Sequence, residues 1–372
     1  DPLLDRAFVL TKPPTLTAAQ QAALERIQAG LIRPGDGQAA FLLHGVTGSG
    51  KTEVYMRAMA EAIALGKRGI VLVPEIALTP QTIGRFASRF PGRVAVMHSE
   101  LSPGERFDEW QRIREGAFDV VIGPRSALFA PQPDLGLIVI DEEHEWTYKD
   151  EEHVPRYHAR EVAIKLAELS GAVLVMGSAT PDLESHHRAE TGRYQLLKLP
   201  QRITVRGESP LPEVELVDMR EELKAGNRSI FSQPLRQAIG ETLAAGEQAI
   251  IFLNRRGTST FVQCRNCGFV MRCHSCDLPL TYHAREEKLM CHQCGYRRTV
   301  PEVCPQCWSR RIRYLGLGTE KVEEEVAWAF PKARTLRWDR DVTKGKNSHE
   351  RILNAFLAHE ADVLIGTQMV AK

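Results

Sequence analysis

Lys51 and Thr52 close the segment Gly45-Val46-Thr47-Gly48-Ser49-Gly50-Lys51-Thr52, and an ammonium and a hydroxyl after a run of glycines suit phosphate chemistry. The segment matches G-x-x-x-x-G-K-[ST]. Its glycines let backbone N–H groups turn inward, and the first turn of a following helix adds partial positive charge, so the loop is built to cradle phosphates. In that reading Lys51 reaches the β- and γ-phosphates of ATP and Thr52 offers its hydroxyl to Mg2+. A second chemical stretch is Leu137-Ile138-Val139-Ile140-Asp141-Glu142-Glu143-His144. Asp141 is placed to hold Mg2+ through water, and Glu142 to orient or deprotonate the attacking water. An acidic helix cap is the plain alternative for such a string, and the upstream phosphate loop weighs against it.

The third group is sulfur. All eight cysteines fall between Cys264 and Cys307 as four C-x-x-C pairs. Each pair can turn two thiolates onto one ion, and eight thiolates make two closed tetrahedral Zn2+ sites. Fourteen residues separate Cys276 from Cys291. That spacing favours a nested grouping, with Cys264, Cys267, Cys304 and Cys307 on one ion and Cys273, Cys276, Cys291 and Cys294 on the other. Pairing first with third and second with fourth remains the alternative, and a redox role is weakened by there being four such pairs. His274, His283 and His292 lie close by and are read as non-ligands.

These residues need elements to hold them. Residues 39–43 read as a buried strand entering the phosphate loop, and Glu53 to Leu65 as the helix leaving it. Acids emerging at the C-terminal end of a strand sit where open parallel sheets bind ligands. Strands are expected at 39–43, 69–73, 93–97, 118–122, 136–140 and 172–176, alternating with helices, which argues an α/β unit with helices on both faces of a parallel sheet. An Ala-rich helix opens after Leu16, capped by Thr17 or Thr15. A proline-rich, charged linker with one strand at 213–217 follows. A second alternating unit then has strands at 248–253, 312–315, 333–337 and 361–365, interrupted by the cysteine block. The divisions are 1–15, the remnant of an upstream module; 16–205, the first lobe; 206–229, the linker; and 230–372, the second lobe with an insert at 262–312.

Bulk composition narrows the class. The chain has 372 residues, 43% hydrophobic and 26% charged, an ordinary balance for a soluble globular protein of two or three domains. Net charge is +1, so any nucleic-acid site is local. No apolar run reaches membrane-spanning length and Asp1-Pro2-Leu3-Leu4-Asp5 is no signal peptide, so a cytoplasmic location is expected. Lacking an initiator Met, the chain reads as a piece of a longer protein.

Further motifs follow in order. His144 completes D-E-x-H, and Gly177-Ser178-Ala179-Thr180-Pro181 follows a buried strand; in superfamily 2 helicases such elements couple the nucleotide site to the nucleic acid. Leu72 through Gln81 and Ile122 through Phe129 resemble the motifs that offer Thr79, Gln81, Arg125 and Ser126 to DNA phosphates. The aromatic and basic stretch from Glu145 to Arg160 suits single-stranded nucleic acid, with Trp146 and Tyr148 expected at the surface and Tyr157 beginning a helix. Arg265, Arg272, Arg285, Arg297, Arg298, Arg310, Arg311 and Arg313 form a local basic patch, for phosphates, acidic protein tails or solvent.

With F-L-N-R-R-G at 252–257, G-L-G-T-E at 316–320 and L-I-G-T-Q-M at 364–369, the set resembles the PriA family of bacterial replication-restart helicases from about residue 16 onward. The resemblance implies two RecA-like P-loop lobes with a double-zinc insertion in the second. It implies a monomeric, ATP-dependent 3′→5′ DNA helicase that recognises stalled forks and initiates primosome assembly. Implied partners are forked and single-stranded DNA, ssDNA-binding protein and helicase-loading factors, with action at nucleoid forks. It places Gln20 where helicases read adenine, and it implies the nested zinc grouping. It gives Asp339-Arg340-Asp341 no role that we can derive. The family also carries a final helicase motif with an arginine finger, beyond Lys372. A chain ending there is expected to hydrolyse ATP poorly. Two other readings stand beside it: a zinc-ribbon assembly platform with a nucleotide switch, and a double-strand translocase, which should lack the zinc insert.

Overall fold

The computed structural model describes residues 12–32, 40–74, 80–98, 101–151, 154–204, 207–208, 212–254, 260–264, 266–283, 286–310, 312–315, 318–339, 342, 348–367 and 370. The chain divides into two compact units, Asp1–Pro212 and Glu213–Lys372. Among the described residues no helix is long and apolar enough to cross a membrane.

The first unit is a parallel sheet between helices. Its strands are β1 (Ala40–Gly45), β2 (Arg68–Leu72), β3 (Val94–Val96), β4 (Val120–Gly123), β5 (Leu135–Asp141), β6 (Val173–Ser178) and β7 (Gln195–Leu199), in the order β3-β4-β2-β5-β6-β1-β7. Central strands read as unbroken apolar runs because helices cover both faces. One cluster packs Phe41, Val71, Val139 and Val175 beneath the helices α1 (Ala18–Ile32) and α2 (Lys51–Ala64). The other packs Leu42, Ile70, Ile138 and Leu174 against α5 (Ala159–Ser170). The helices α3 (Pro80–Arg89), α4 (Pro103–Arg114) and α6 (Leu183–Glu190) complete the layers. Strand β7 was not expected: it carries Gln195 and an exposed Lys198, which break the apolar run an edge strand does not need. A short antiparallel pair, β8 (Ile203–Thr204) and β9 (Gly207–Glu208), follows.

In the second unit the expected strand at 213–217 is absent. These residues form irregular chain with Val214 and Leu216 exposed, because alternation without a partner strand buries nothing. The helices α7 (Met219–Lys224) and α8 (Gln233–Ala244) lead into β10 (Ala249–Phe252). Then comes the insert, a five-stranded antiparallel sheet of β11 (Thr260–Cys264), β12 (Thr281–His283), β13 (Lys288–Met290), β14 (Arg297–Thr299) and β15 (Ile312–Leu315), in the order β14-β13-β12-β11-β15. The strand expected at 312–315 therefore belongs to the insert. It pairs antiparallel with β11, Cys264 lying opposite Ile312, and closes the module at its root. The helices α9 (Thr319–Ala329) and α10 (Ser348–Leu357) flank β16 (Thr335–Trp338) and β17 (Val363–Gly366), and a parallel sheet runs β10-β17-β16.

Candidate nucleotide site and metal centres

The phosphate loop is braced from behind. Gly48 and Gly50 both have φ of 78°, a conformation that costs glycine nothing and turns the loop into α2. Thr17 caps α1, its hydroxyl accepting the Gln20 N–H at 3.3 Å while Gln20 Oε1 accepts the Thr17 N–H at 2.9 Å. Gln20 Nε2 then donates to the Ser49 carbonyl at 2.9 Å. This buried amide thus ties the start of α1 to the phosphate loop. Lys51 Nζ donates to the Gly45 carbonyl at 3.0 Å and lies 4.0 Å from Glu142 Oε1. Among the described residues the buried Ser49 hydroxyl has no hydrogen-bond partner, the orphaned donor that a cradle for an anion leaves. Val46 and Thr47 carry the outer side of the loop, where Val46 N–H donates to Leu199 at 3.2 Å. Thr52, half-buried, opens the second position of α2. The donor set fits a nucleoside triphosphate with Mg2+.

Asp141 ends β5 beside Gly177 of β6. Tyr55 donates its hydroxyl to Asp141 Oδ1 at 3.1 Å, and Tyr148 donates to the Asp141 main-chain carbonyl at 2.7 Å. Burial, reinforced by the neighbouring Glu142 charge, lifts the Asp141 carboxyl to about 6. Glu142 adopts φ of 48°, a left-handed conformation unusual for a non-glycine residue and typical of functional turns. His144 Nδ1 lies 2.7 Å from Ser178 Oγ, and Ser178 also accepts the Thr180 N–H at 2.9 Å. Glu142 Oε2 lies 3.6 Å from the same imidazole nitrogen. A continuous polar path thus runs Lys51–Glu142–His144–Ser178–Thr180, with Ala179 half-buried between its last two members.

Sequence reasoning missed what lies behind this path. Glu143 is buried, and it accepts from Ser185 Oγ at 2.8 Å, the Asp182 N–H at 2.8 Å and Arg160 Nη1 at 3.2 Å. Tyr55 was missed as well. No spacing announces either, since their partners come from distant elements.

The expected DNA contacts separate. Trp146 is 66% exposed, but Tyr148 is only 1% exposed, contrary to expectation. Its ring packs into the core and its hydroxyl finds the Asp141 carbonyl, so it is not a surface contact. Arg125 donates to the carbonyls of Thr147 at 2.9 Å and Lys149 at 3.1 Å and pairs with Asp150 at 3.2 Å. It fastens the aromatic segment rather than standing open to a phosphate. Ser126 and Gln81 are exposed; Thr79 lies outside the described residues. Tyr157 precedes α5 and packs edge-on to Phe129, ring centres 5.1 Å apart.

The cysteines gather as Cys264, Cys267, Cys304, Cys307 and as Cys273, Cys276, Cys291, Cys294, the Sγ atoms of each set within 4.8 Å of one another. This is the nested grouping. Sulfurs stand 3.6 Å apart in Cys264–Cys307 and Cys267–Cys304, and 3.5 Å apart in Cys273–Cys294. Such separations are far too long for disulfides and match the edge of a tetrahedron with metal–sulfur bonds of about 2.3 Å. The four knuckles share one backbone plan: Gly268, Asp277, Gly295 and Trp308 each donate N–H to the first cysteine's carbonyl at 2.9 Å, and each has positive φ. Backbone N–H donation, foremost from Ser309, holds the Cys307 thiol down at about 6, and donation from Cys294 holds Cys291 at about 7. In the same tetrads the thiol hydrogen bonds, foremost that with Cys294, push Cys276 up to about 12, so the sulfurs of each set share protons unequally. The donor sets fit two structural Zn2+ ions.

The DEAD/DEAH box helicase family matches residues 17–189, and the Cys-rich region (CRR) domain of the PriA DNA helicase matches residues 273–298. Replication restart protein PriA of Bacillus subtilis (strain 168) is 53% identical over 100% of this chain and 46% of that relative. The protein of the same description from Synechocystis sp. is 47% identical over 97% of this chain and 44% of the relative. The chain spans about half the length of these curated relatives. The crystal structure of the DUF1998 helicase MrfA bound to DNA shares the fold, with a TM-score of 0.51 at 15% identity over 97% of this chain and 46% of that one.

Proposed function

Since the chain belongs to the PriA family of superfamily 2 helicases, we propose that it forms the motor and zinc module of an ATP-dependent 3′→5′ DNA helicase. That helicase acts in the cytoplasm on stalled replication forks and starts primosome assembly. The observation that carries this reading is the polar path from Lys51 through Glu142 to His144 and Ser178. It joins the phosphate loop to the G-S-A-T segment at the end of β6, as a coupled motor requires.

When bound, Mg–ATP supplies the scissile phosphoanhydride and a divalent charge to screen it. The chain does the rest by position. Lys51 exchanges its bond to the Gly45 carbonyl for phosphate oxygens. The loop N–H groups and the Ser49 hydroxyl complete the cradle, while Thr52 and Asp141 face the cation. Glu142, held in a left-handed turn beside Lys51, orients water for in-line attack and takes its proton. His144 and Ser178 re-pair as Glu142 changes its bonding, which gives the nucleotide site a mechanical output. The two thiolate tetrads hold Zn2+ as structural centres. Trp146 stacks on bases of a single strand. Single-stranded and forked DNA, ssDNA-binding protein and helicase-loading factors are the partners that this role requires, and a monomer suffices for it.

The test introduces Glu142→Gln into the protein at its full natural length. ATP binding is expected to persist while ssDNA-stimulated hydrolysis and unwinding of a forked duplex fall by about two orders of magnitude or more. Hydrolysis at the wild-type rate would overturn the assignment. Lost hydrolysis with full restart activity would favour an assembly platform instead.

A further inference from the structure

Tyr55 lies one helical turn after Lys51 on α2, so the two side chains leave the same face of the helix. Lys51 addresses the phosphate loop and Tyr55 addresses the acid: its buried hydroxyl donates to Asp141 Oδ1 at 3.1 Å. Reaching that oxygen requires room over β6, and Gly177 provides it. A Cβ at Gly177 would overlap the phenol oxygen and sit 2.7 Å from the ring carbon that bears it. Gly177 is also the direct neighbour of Asp141 across the β5–β6 ladder. The glycine of G-S-A-T is thus needed by a side chain from α2. Tyr148 grips the Asp141 carbonyl from outside α2, leaving the carboxylate itself to Tyr55.

We propose that Tyr55 is a positioning residue for the cation site: by occupying Oδ1 it fixes the carboxylate's rotation and leaves Oδ2 as the oxygen that faces Mg2+. This role rests on the reading of the site as a Mg–ATP hydrolase. A buried phenol must find an acceptor. Here the acceptor is the metal-facing acid, and the connection spans the same helix that opens with Lys51. Phosphate grip and cation grip therefore share one rigid element.

The test uses the protein at its full natural length with Tyr55→Phe, which removes one oxygen and keeps the ring. Fluorescent ADP binding is measured in EDTA and then with Mg2+, and Mn2+ affinity in the presence of ADP is read by electron paramagnetic resonance. Affinity in EDTA is expected to stay within about twofold, while Mn2+ affinity falls roughly tenfold, the worth of a hydrogen bond to a charged group. Gly177→Ala keeps both side chains but takes the phenol's space, and it is expected to give the same selective loss should Tyr55→Phe fold poorly. Mn2+ affinity unchanged in Tyr55→Phe, alongside a loss in Asp141→Asn, overturns the tyrosine's role alone. A wild-type chain whose nucleotide affinity gains nothing from Mg2+ overturns the hydrolase reading and this role with it.

Discussion

Arg160 and Glu143 meet inside the first unit with 3.2 Å between Nη1 and Oε2, their side chains 7% and 0% exposed. Asp182 adds a second contact to the same guanidinium nitrogen at 2.7 Å. Removing one partner of a buried pair leaves the other charged and unpaired. Glu143→Ala is therefore expected to cost about 3 kcal/mol in urea unfolding, the low end of the usual range, because Asp182 still serves Arg160. Glu143→Gln, which keeps the shape, should cost less. An Ala variant as stable as wild type would show the pair to be idle.

Asp141 gives a pH-dependent prediction for the nucleotide-free protein in EDTA. Its folded pKa, about 6, is raised above the unfolded value. The favourable, protonated contribution is thus fully present below about pH 4 and is lost as pH rises through 6. Asp141→Asn mimics the protonated state. It should raise stability above about pH 6, by at most about 3 kcal/mol, and make no difference near pH 4. A thermal-shift series in which the two proteins do not diverge between those limits would refute the burial argument.

The two thiolate tetrads predict metal content. Elemental analysis should find two Zn2+ per chain, and Cys267→Ser or Cys276→Ser should each lower this to one. Thiol reagents should react slowly until a strong chelator is added. Rapid reaction of all eight thiols without chelator would mean that the clusters hold no ion.

Trp308 occupies a left-handed position, φ 58°, that glycine fills in two sister knuckles, and it is 77% exposed. That conformation costs a bulky side chain about 1–2 kcal/mol. Trp308→Gly should accordingly slow chelator stripping of zinc, corresponding to about 1 kcal/mol of added stability once the glycine's own entropy cost is counted. Faster stripping would mean that the indole supports the knuckle.

How much of this was legible in the sequence depended on the range of the interaction. Contiguous apolar runs such as Leu137 to Ile140 announce buried parallel strands, and the thiol grouping was legible from the gap between Cys276 and Cys291. The phosphate loop and the acids after β5 are local strings whose meaning travels with them. Tyr148 misled because polar sequence neighbours suggest exposure, whereas its ring turns inward to the Asp141 carbonyl. Gln20 and Arg125 stand at motif positions in the sequence, but their hydrogen bonds to Ser49 and to Thr147 are not legible there. The contacts of Glu143, Arg160, Tyr55 and Gly177 escaped for one reason: each meets a residue far away in sequence, and only folding brings them together.

The root of the insert carries a consequence of its own. Strands β11 and β15 run side by side, and the outer tetrad takes one cysteine pair from each end of the module. The inner tetrad lies wholly between those ends. An ion in the outer tetrad would be the knot of a noose tied at β11 and β15, while one in the inner tetrad would only stiffen the loop. Loss of the inner ion leaves the entry and exit of the module tied together. Loss of the outer ion would leave the pairing of β11 with β15 to tie them, at the root of the 66 residues between β10 and α9.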